Sequence, residues 1–369
     1  MSARFLVVGA GLSGTIVANQ LATHGFEVDV FETRNHVGGN VFTCKDAETG
    51  IVKHVYGPHI FNTNNEAVWN FVSKYLQFNS YINRVKVRHL DQIYSFPINL
   101  HTINQFFEST FNPSEAAAYI DSVRAKHISE PKNFEEQALS LVGAEIYEAF
   151  LKGYTIKQWG SHPTELPASI LKRIPIRFNY NDNYYDKKFQ GIPIEGYTPL
   201  FDKLLDHKNI NLVLNQQFHS ETKNDYEHVF YSGTLDGYFK LKYGSLGYRT
   251  VYWNDFVVEG DYQGNAVINY SDLTTAHTRV VEHAHFYPGS KFKKSLVSFE
   301  FSKETTPFDE PFYPKRLPAD IAILNSYLEE AKRLKNLTFL GRLGTYRYLD
   351  MDVTIEEAFQ TVFEFLKRR

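Results

Sequence analysis

Apolar residues run unbroken from Phe5 to Val8 and stop at Gly9. Such a short run ending on a glycine predicts a strand buried on both faces, as in a parallel sheet. An apolar helix pattern follows through Leu21, and Val28–Phe31 alternates as a second strand ending on Glu32. Residues 41–96 read as mixed strands and turns with one short helix near Glu66–Tyr75. From Ile98 to Leu171 the pattern is helical. Asn112-Pro113-Ser114-Glu115 offers an N-cap, a first-turn proline and a Glu at the third position, and Asn133-Phe134-Glu135-Glu136 repeats the device. The helix opening there has apolar Ala138, Leu141, Val142, Ile146, Ala149 and Phe150 at a 3.6 period. Residues 174–193 read as loop, Glu195–Leu205 as helix, and 210–214 and Val229–Tyr231 as short strands. Period-two alternation over Tyr248–Trp253, Ala266–Tyr270, Arg279–His285 and Ser295–Phe301 predicts an antiparallel sheet. Leu337–Leu340 is a further strand, Gly341–Gly344 a loop, and Val353–Lys367 an amphipathic helix with Ile355, Phe359, Val362, Phe363 and Leu366 on one face. Asp350, Asp352 and Thr354 compete to cap it, Thr354 in a capping box with Glu357.

The first turn carries chemistry. Gly9, Gly11 and Gly14 are spaced G-x-G-x-x-G between strand and helix, which predicts a dinucleotide site with the pyrophosphate on the helix N-terminus. Glu32 ends the second strand, where a carboxylate can accept hydrogen bonds from the adenosine ribose. Arg34 and Gly38-Gly39-Asn40 follow. The run E-x-R-x(3)-G-G resembles the FAD-binding extension of glutathione-reductase and amine-oxidase flavoproteins, so FAD is expected over NAD; a plain β-turn is the alternative for the doublet. Val229–Tyr231 ends at Ser232-Gly233, a close approach of chain to cofactor.

At 369 residues the chain is long for one core and predicts two or three domains. The net charge of −3 offers no basic field for nucleic acid. No run of 18 apolar residues predicts a membrane span. Cys44 is the lone cysteine, so no intrachain disulfide can form, and a cytoplasmic location is expected. Phe5–Ile16 could imitate a signal segment but lacks a basic flank and is broken by glycines. With 30 Phe and 24 Tyr, aromatic side chains are numerous enough to line a pocket as well as fill a core.

Seven segments carry a wider resemblance: GYTIKQWG (153–160), LPASILKRIPIRF (166–178), YDKKFQGIPIEGYT (185–198), GNAVINY (264–270), HTRVVEHAHF (277–286), EPFYP (310–314) and GRLGTYRYLDM (341–351). In order and over nearly the whole chain they resemble the bacterial UDP-galactopyranose mutase family. The resemblance implies an α/β fold: a Rossmann-like FAD-binding domain (1–58, 195–235, 318–369), an inserted helical domain (97–182) with a mobile lid near 166–178, and an inserted antiparallel sheet domain (59–96, 183–194, 236–317). It implies a homodimer, no metal, and interconversion of pyranose and furanose forms of a nucleotide sugar without net redox change. Reduced FAD would attack the anomeric carbon through N5, giving a flavin–sugar adduct.

The site residues follow from the same resemblance. Arg173 and Arg279 would bind the departing diphosphate. Tyr154, with Phe150 near it, would stack on the base, and Trp159 would lie near sugar and lid. Tyr184, Tyr313 and Tyr348 would reach the diphosphate. Thr155, Gln158, Asn83 and Asn269 take polar positions around the nucleotide and sugar. His59 and Arg342 would face the flavin, with Asp350 and Met351 opening the last helix toward its pyrimidine. The family commonly reads H-I-F-H-T or H-L-F-H-T where this chain reads HIFNT, which puts Asn62 near the sugar; Pro58 also replaces a usual Ala. UDP-galactopyranose is the first expectation, with dTDP-fucopyranose and UDP-N-acetylgalactosamine as alternatives. A redox flavoenzyme of amine-oxidase type and a non-catalytic binding protein like the GDP-dissociation inhibitors are the rival classes. The arginine pair and tyrosines speak against the first, the intact glycines and Glu32 against the second.

Overall fold

Five parallel strands form the first sheet, in the order Leu337–Phe339, His228–Tyr231, Arg4–Val8, Glu27–Phe31, Ile210–Val213. The structure is a computed structural model that describes residues 4–173 and 175–369, the side chains of Lys172 and Arg173 excepted. The glycine-turn strand lies at the centre of the sheet, which is why Phe5, Leu6 and Val7 are all buried. The helix Leu12–Thr23 packs between this sheet, Thr198–Leu205 and the last helix, Met351–Lys367. Ile16, Leu21, Phe201, Ile355 and Val362 fill the core between them.

The second sheet has seven strands, in the order Tyr313–Pro314, Tyr248–Glu259, Lys294–Glu304, Arg279–Glu282, Val267–Tyr270, Val85–His89, Gln92–Phe96. It is mixed rather than purely antiparallel. Val267–Tyr270 runs parallel to Val85–His89, with Ile268 opposite Lys86. These two strands are far apart in the chain, so no tight hairpin turn fixes their direction. The helices Leu100–Phe106, Pro113–Val123 and Phe134–Ile146 pack on this sheet and share one core with it, through Tyr94, Phe96, Ile103, Phe134, Phe150 and Val281.

Several local expectations change. The strand at 279 ends at Glu282, and His283–Phe286 turns as 3₁₀. Within the expected loop, Phe189–Gly191 pairs antiparallel with Phe61–Thr63. Gly341–Gly344 is a helical turn, not a loop. Asp350 is the N-cap of the last helix; Thr354 lies one turn in and its hydroxyl donates to the Asp350 carbonyl, so no box forms with Glu357. Pro318–Ala331 forms a helix that the hydrophobic pattern does not predict. Phe61, Val68, Val72 and Leu76 pack into the core of the parallel sheet, so the segment around 61–76 belongs with that sheet and not with the mixed one. Leu141 and Phe363, expected on buried faces, are 37% and 62% exposed. Both capping asparagines are present: Asn112 forms a full box with Glu115, whereas at Asn133 the Glu136 carboxylate takes the Lys132 amide instead.

Candidate functional site

The glycine turn is built for close approach. A Cβ on Gly9 would stand 2.2 Å from Ser232 Oγ, and one on Gly39 would stand 3.0 Å from Gly11 Cα, so two backbone segments meet here with no side chain between them. Gly14 lies over the Gly9 carbonyl, and the Gly38 amide donates to Ala10 O at 2.8 Å. Gly11 caps the helix without any side-chain bond, and no acidic residue occupies its first turn. Those amides and the positive helix end suit an anionic group. Gly233 follows the neighbouring strand, its Cα close to the Tyr231 hydroxyl.

Glu32 is buried and accepts from the Ala10 amide at 2.8 Å and the Arg34 amide at 2.9 Å. The carboxylate therefore ties the glycine turn to the second strand while keeping further acceptor positions. Arg34 lies 4.4 Å over the Tyr56 ring and donates from Nη2 to Asn40 and Glu310. Its Nη1 is buried with no hydrogen-bond partner. A buried, unpartnered guanidinium nitrogen beside a side-chain-free glycine cradle fits a dinucleotide phosphate or ribose oxygen.

Arg279 anchors the second half of the site. Its strand sets it opposite Glu300 on one side and Asn269 on the other. Nε donates to Glu300 Oε2 at 2.8 Å, and Nη2 lies 2.6 Å from the same oxygen in an ion pair. Glu300 is fully buried and is also bonded by the Thr278 hydroxyl. Burial works against the charge on Arg279, but the Glu300 carboxylate outweighs it and holds the guanidinium above its ordinary value. Tyr154 and Tyr313 face it, and the Gly57 backbone passes so near that a Cβ there would lie 3.6 Å from Nη2.

Around this pair the helix Gly153–Trp159 supplies Tyr154, Thr155, Gln158 and Trp159. The Trp159 and Tyr313 rings lie 6.5 Å apart, and Tyr313 stacks on Tyr348 at 5.9 Å. Arg342 lies over both tyrosines, 4.6 Å from the Tyr348 ring, and donates to Leu349 O. Burial pushes the Tyr313 hydroxyl up to about 12, so it stays a neutral donor. His59 donates from Nδ1 to the Gly57 carbonyl at 2.8 Å; burial first, then the positive Arg342 and Arg279, hold it down at about 4. It is a neutral imidazole near neutral pH.

The remaining expected residues scatter more widely. Tyr184 donates its amide to the carbonyl of buried Asn83, and its ring meets Tyr185 at 5.0 Å. Asn62 lies on the two-stranded ribbon opposite Gln190 and donates to Ile60 O. Thr155 is buried, and the Gln158 carbonyl binds Arg249 and Ser302. Phe150 is 2% exposed and packed edge-on against Tyr94 and Phe106, so it belongs to the core and offers no open face to a base. Asp350 caps the last helix and Met351 packs beneath the parallel sheet. The side chain of Arg173 lies outside the described residues. Two residues were not read from sequence: Tyr185, which faces Tyr348, Asp350 and Arg279, and Glu300. An acid at an inward position of a strand, level with buried Leu296 and Ser298, was the available signal for Glu300.

Comparison with known proteins places this geometry. A family model described as UDP-galactopyranose mutase matches residues 149–348, and one described as NAD(P)-binding Rossmann-like domain matches residues 7–75. A probable UDP-galactopyranose mutase of Klebsiella pneumoniae is 52% identical over 98% of this chain and 94% of its own. The dTDP-fucopyranose mutase of Escherichia coli is 47% identical over 99% of this chain and 98% of its own. A crystal structure of reduced UDP-galactopyranose mutase shares the fold, with a TM-score of 0.77 at 14% identity, covering 100% of this chain and 96% of that one. By a family model spanning more than half its length and by relatives matched almost end to end, the chain belongs to the UDP-galactopyranose mutase family, a family of mutases and hence of isomerases.

Proposed function

We propose that this enzyme interconverts UDP-galactopyranose and UDP-galactofuranose, using FAD in its reduced form and with no net redox change. The observation that carries the reading is Arg279, locked by Glu300 among Tyr154, Tyr313 and Gly57, within reach of His59 and the Arg342–Tyr348 pair. Gly9, Gly11, Gly14, Glu32, Arg34, Gly38, Gly39, Asn40 and Gly233 would hold the FAD, with Arg342, Asp350 and Met351 at its other end. Reduced FAD, when bound, supplies a nucleophilic N5 for covalent, non-redox catalysis at the anomeric carbon.

The chain's own residues then have separable tasks. Arg279 spends Nε and Nη2 on Glu300, which fixes the plane of the guanidinium and aims its remaining donors. Fixed, permanently charged donors stabilise the charge that builds on a departing diphosphate. Arg173 would supply the second such charge. Tyr313, Tyr348 and Tyr184 would donate their hydroxyls to phosphate oxygens, and Tyr154 would offer its ring to the base. Asn62, Asn83, Asn269, Thr155, Gln158 and Trp159 orient the nucleotide and sugar. Neutral His59 gives its Nδ1 proton to the Gly57 carbonyl, so its Nε2 is an acceptor that adds no charge.

A second substrate reading has its own support. The relative at 47% identity is a dTDP-fucopyranose mutase, and Asn62 departs from the family's histidine. The test is a panel of UDP-galactose, dTDP-fucose and UDP-N-acetylgalactosamine with dithionite-reduced and with oxidised protein, assayed for furanose. Turnover only in the reduced protein, best with UDP-galactose, is expected. Equal turnover in both redox states, or product only with an electron acceptor, defeats the mechanism; a preference for dTDP-fucose transfers the assignment to that sugar. We also infer a cytoplasmic homodimer, which light scattering and fractionation would test. Finally, we infer the three-part division given above, amended at 61–76.

A further inference from the structure

Behind the candidate site lies a line of buried polar groups that the proposed chemistry does not use. His54 and His283 are 3% and 1% exposed, and their rings stack at 6.2 Å and 24°. The His59 amide donates to His54 Nδ1 at 3.3 Å. A nitrogen that accepts cannot carry the proton, so His54 must be the Nε2–H tautomer. On the other ring, His283 Nε2 lies 2.9 Å from Ser298 Oγ, and Ser298 Oγ lies 2.6 Å from Asp255 Oδ1. Asp255 pairs with Lys53 through Oδ2 and accepts the serine hydroxyl at Oδ1, so the serine oxygen receives the His283 Nε2–H. His283 Nδ1 is then the bare acceptor.

The atoms left over are complementary. His54 Nε2 and His283 Nδ1 are both buried without a hydrogen-bond partner, one a donor and the other an acceptor. No hydrogen bond joins the two rings, so the chain from Asp255 through Ser298 ends at His283. The titratable groups facing the pair are His59, His283 and Tyr197 against His54, and Asp255, Lys53 and Asp46 against His283. Burial keeps both imidazoles neutral, holding His283 at about 4 and His54 well below its ordinary value.

We propose that His54 is a positioning residue: its Nδ1 accepts from the His59 amide, which fixes its own tautomer and, with it, the Gly57–His59 turn beside Arg279. The consequence for catalysis rests on the reading above, that His59 belongs to the active site. The tautomer assignment does not, since it needs neither cofactor nor substrate.

Histidine-selective ¹⁵N NMR on the wild-type protein tests the assignment directly. Both His54 and His283 should appear as neutral Nε2–H tautomers from pH 7.5 to 5.5. A charged ring or an Nδ1–H tautomer at His54 would overturn the proposal. The functional arm compares His54→Leu with His54→Asn, because the Asn side-chain oxygen can take the place of Nδ1. The Leu variant should lose roughly tenfold in kcat with KM within about twofold, and the Asn variant should recover most of it. Wild-type kcat in the Leu variant, or an Asn variant as impaired as Leu, would also overturn it. Should the wild-type protein bind no flavin and turn over no nucleotide sugar, the proposed function fails, and the NMR result still decides the tautomers.

Discussion

Arg279 and Glu300 show how much one residue's role depends on its partner. Glu300 is fully buried, so removing Arg279 strands a carboxylate in the core. Breaking a buried pair from one side costs about 3–5 kcal/mol. Arg279→Ala is therefore expected to lose stability as well as activity, the latter by roughly 10²–10³-fold. Adding Glu300→Gln removes the stranded charge and should restore most of the denaturation midpoint without restoring turnover. Recovery of turnover in the double variant would show that Arg279 serves only to neutralise Glu300. At Asn62 the expectation concerns selectivity. An Asn donates and accepts at once and does not titrate near neutral pH, unlike the family's histidine. Asn62→His should shift kcat/KM among UDP-galactose, UDP-N-acetylgalactosamine and dTDP-fucose by different factors, on the order of 1–3 kcal/mol. Three ratios moving together within about twofold would mean that residue 62 does not read the sugar. Arg279 was reached from sequence only through the family motif. Its partner was missed because cross-strand pairing joins residues 21 apart, which no local pattern displays.

Elements with one dominant local signal were legible. The strand–glycine–helix–strand unit at residues 4–31 needs only sequence-near contacts to declare itself, and it formed as read. Phase was lost where the backbone interrupts the helical count. Leu141 sits on the apolar stripe extrapolated from residue 138, yet Gly143 leaves helical geometry at φ +80°, ψ 175°, and a π-helical turn at Tyr147–Lys152 resets the spacing again. The helix at Pro318–Ala331 hid for another reason: it buries Asp320 and Tyr327 while Leu328 stays 39% exposed, so hydrophobicity does not trace its inner face. Gly143 yields a test at this scale. A Cβ there would press to 2.8 Å from the Val123 carbonyl oxygen, in a backbone region that only glycine adopts readily. Gly25 also has positive φ, at +88°, but a Cβ there meets nothing within 4 Å. Gly25→Ala should cost about 1–2 kcal/mol for the left-handed backbone alone. Gly143→Ala should cost at least ~2 kcal/mol more, as steric overlap adds to strain. Equal shifts in urea midpoint would mean that the helix simply re-forms through residue 143.

Four neutral buried histidines set the response of the whole molecule to acid. His59, His283 and His228 are held at about 4 and His54 well below its ordinary value, each chiefly by burial. His54 ends the short strand Val52–His54 and accepts from the His59 amide, His283 follows a strand of the mixed sheet, and His228 is a strand residue of the parallel one, bonded to Thr338. In the unfolded chain all four return to about 6.5. Between about pH 6.5 and pH 4 the unfolded state therefore binds protons that the native state refuses. Stability from these groups is complete about one pH unit above 6.5 and drains as pH falls through 6.5 toward 4, with a slope of about 1.4 kcal/mol per pH unit for each proton taken up. His285 acts oppositely. Glu282 and Asp261 raise it, so its contribution is present at low pH and is lost as pH rises through its folded value. One opposing group does not cancel four. Urea unfolding of the cofactor-free protein at pH 8.5, 7.5, 6.5, 5.5 and 5.0 should show little change between the first two and a steepening loss below. His228 lies away from the candidate site, so His228→Asn should reduce the acid slope by about one proton and leave turnover at pH 7.5 intact. An unchanged slope in that variant would mean that His228 is protonated in the native state, and the sheet strand bearing it would not be as dry as its burial implies.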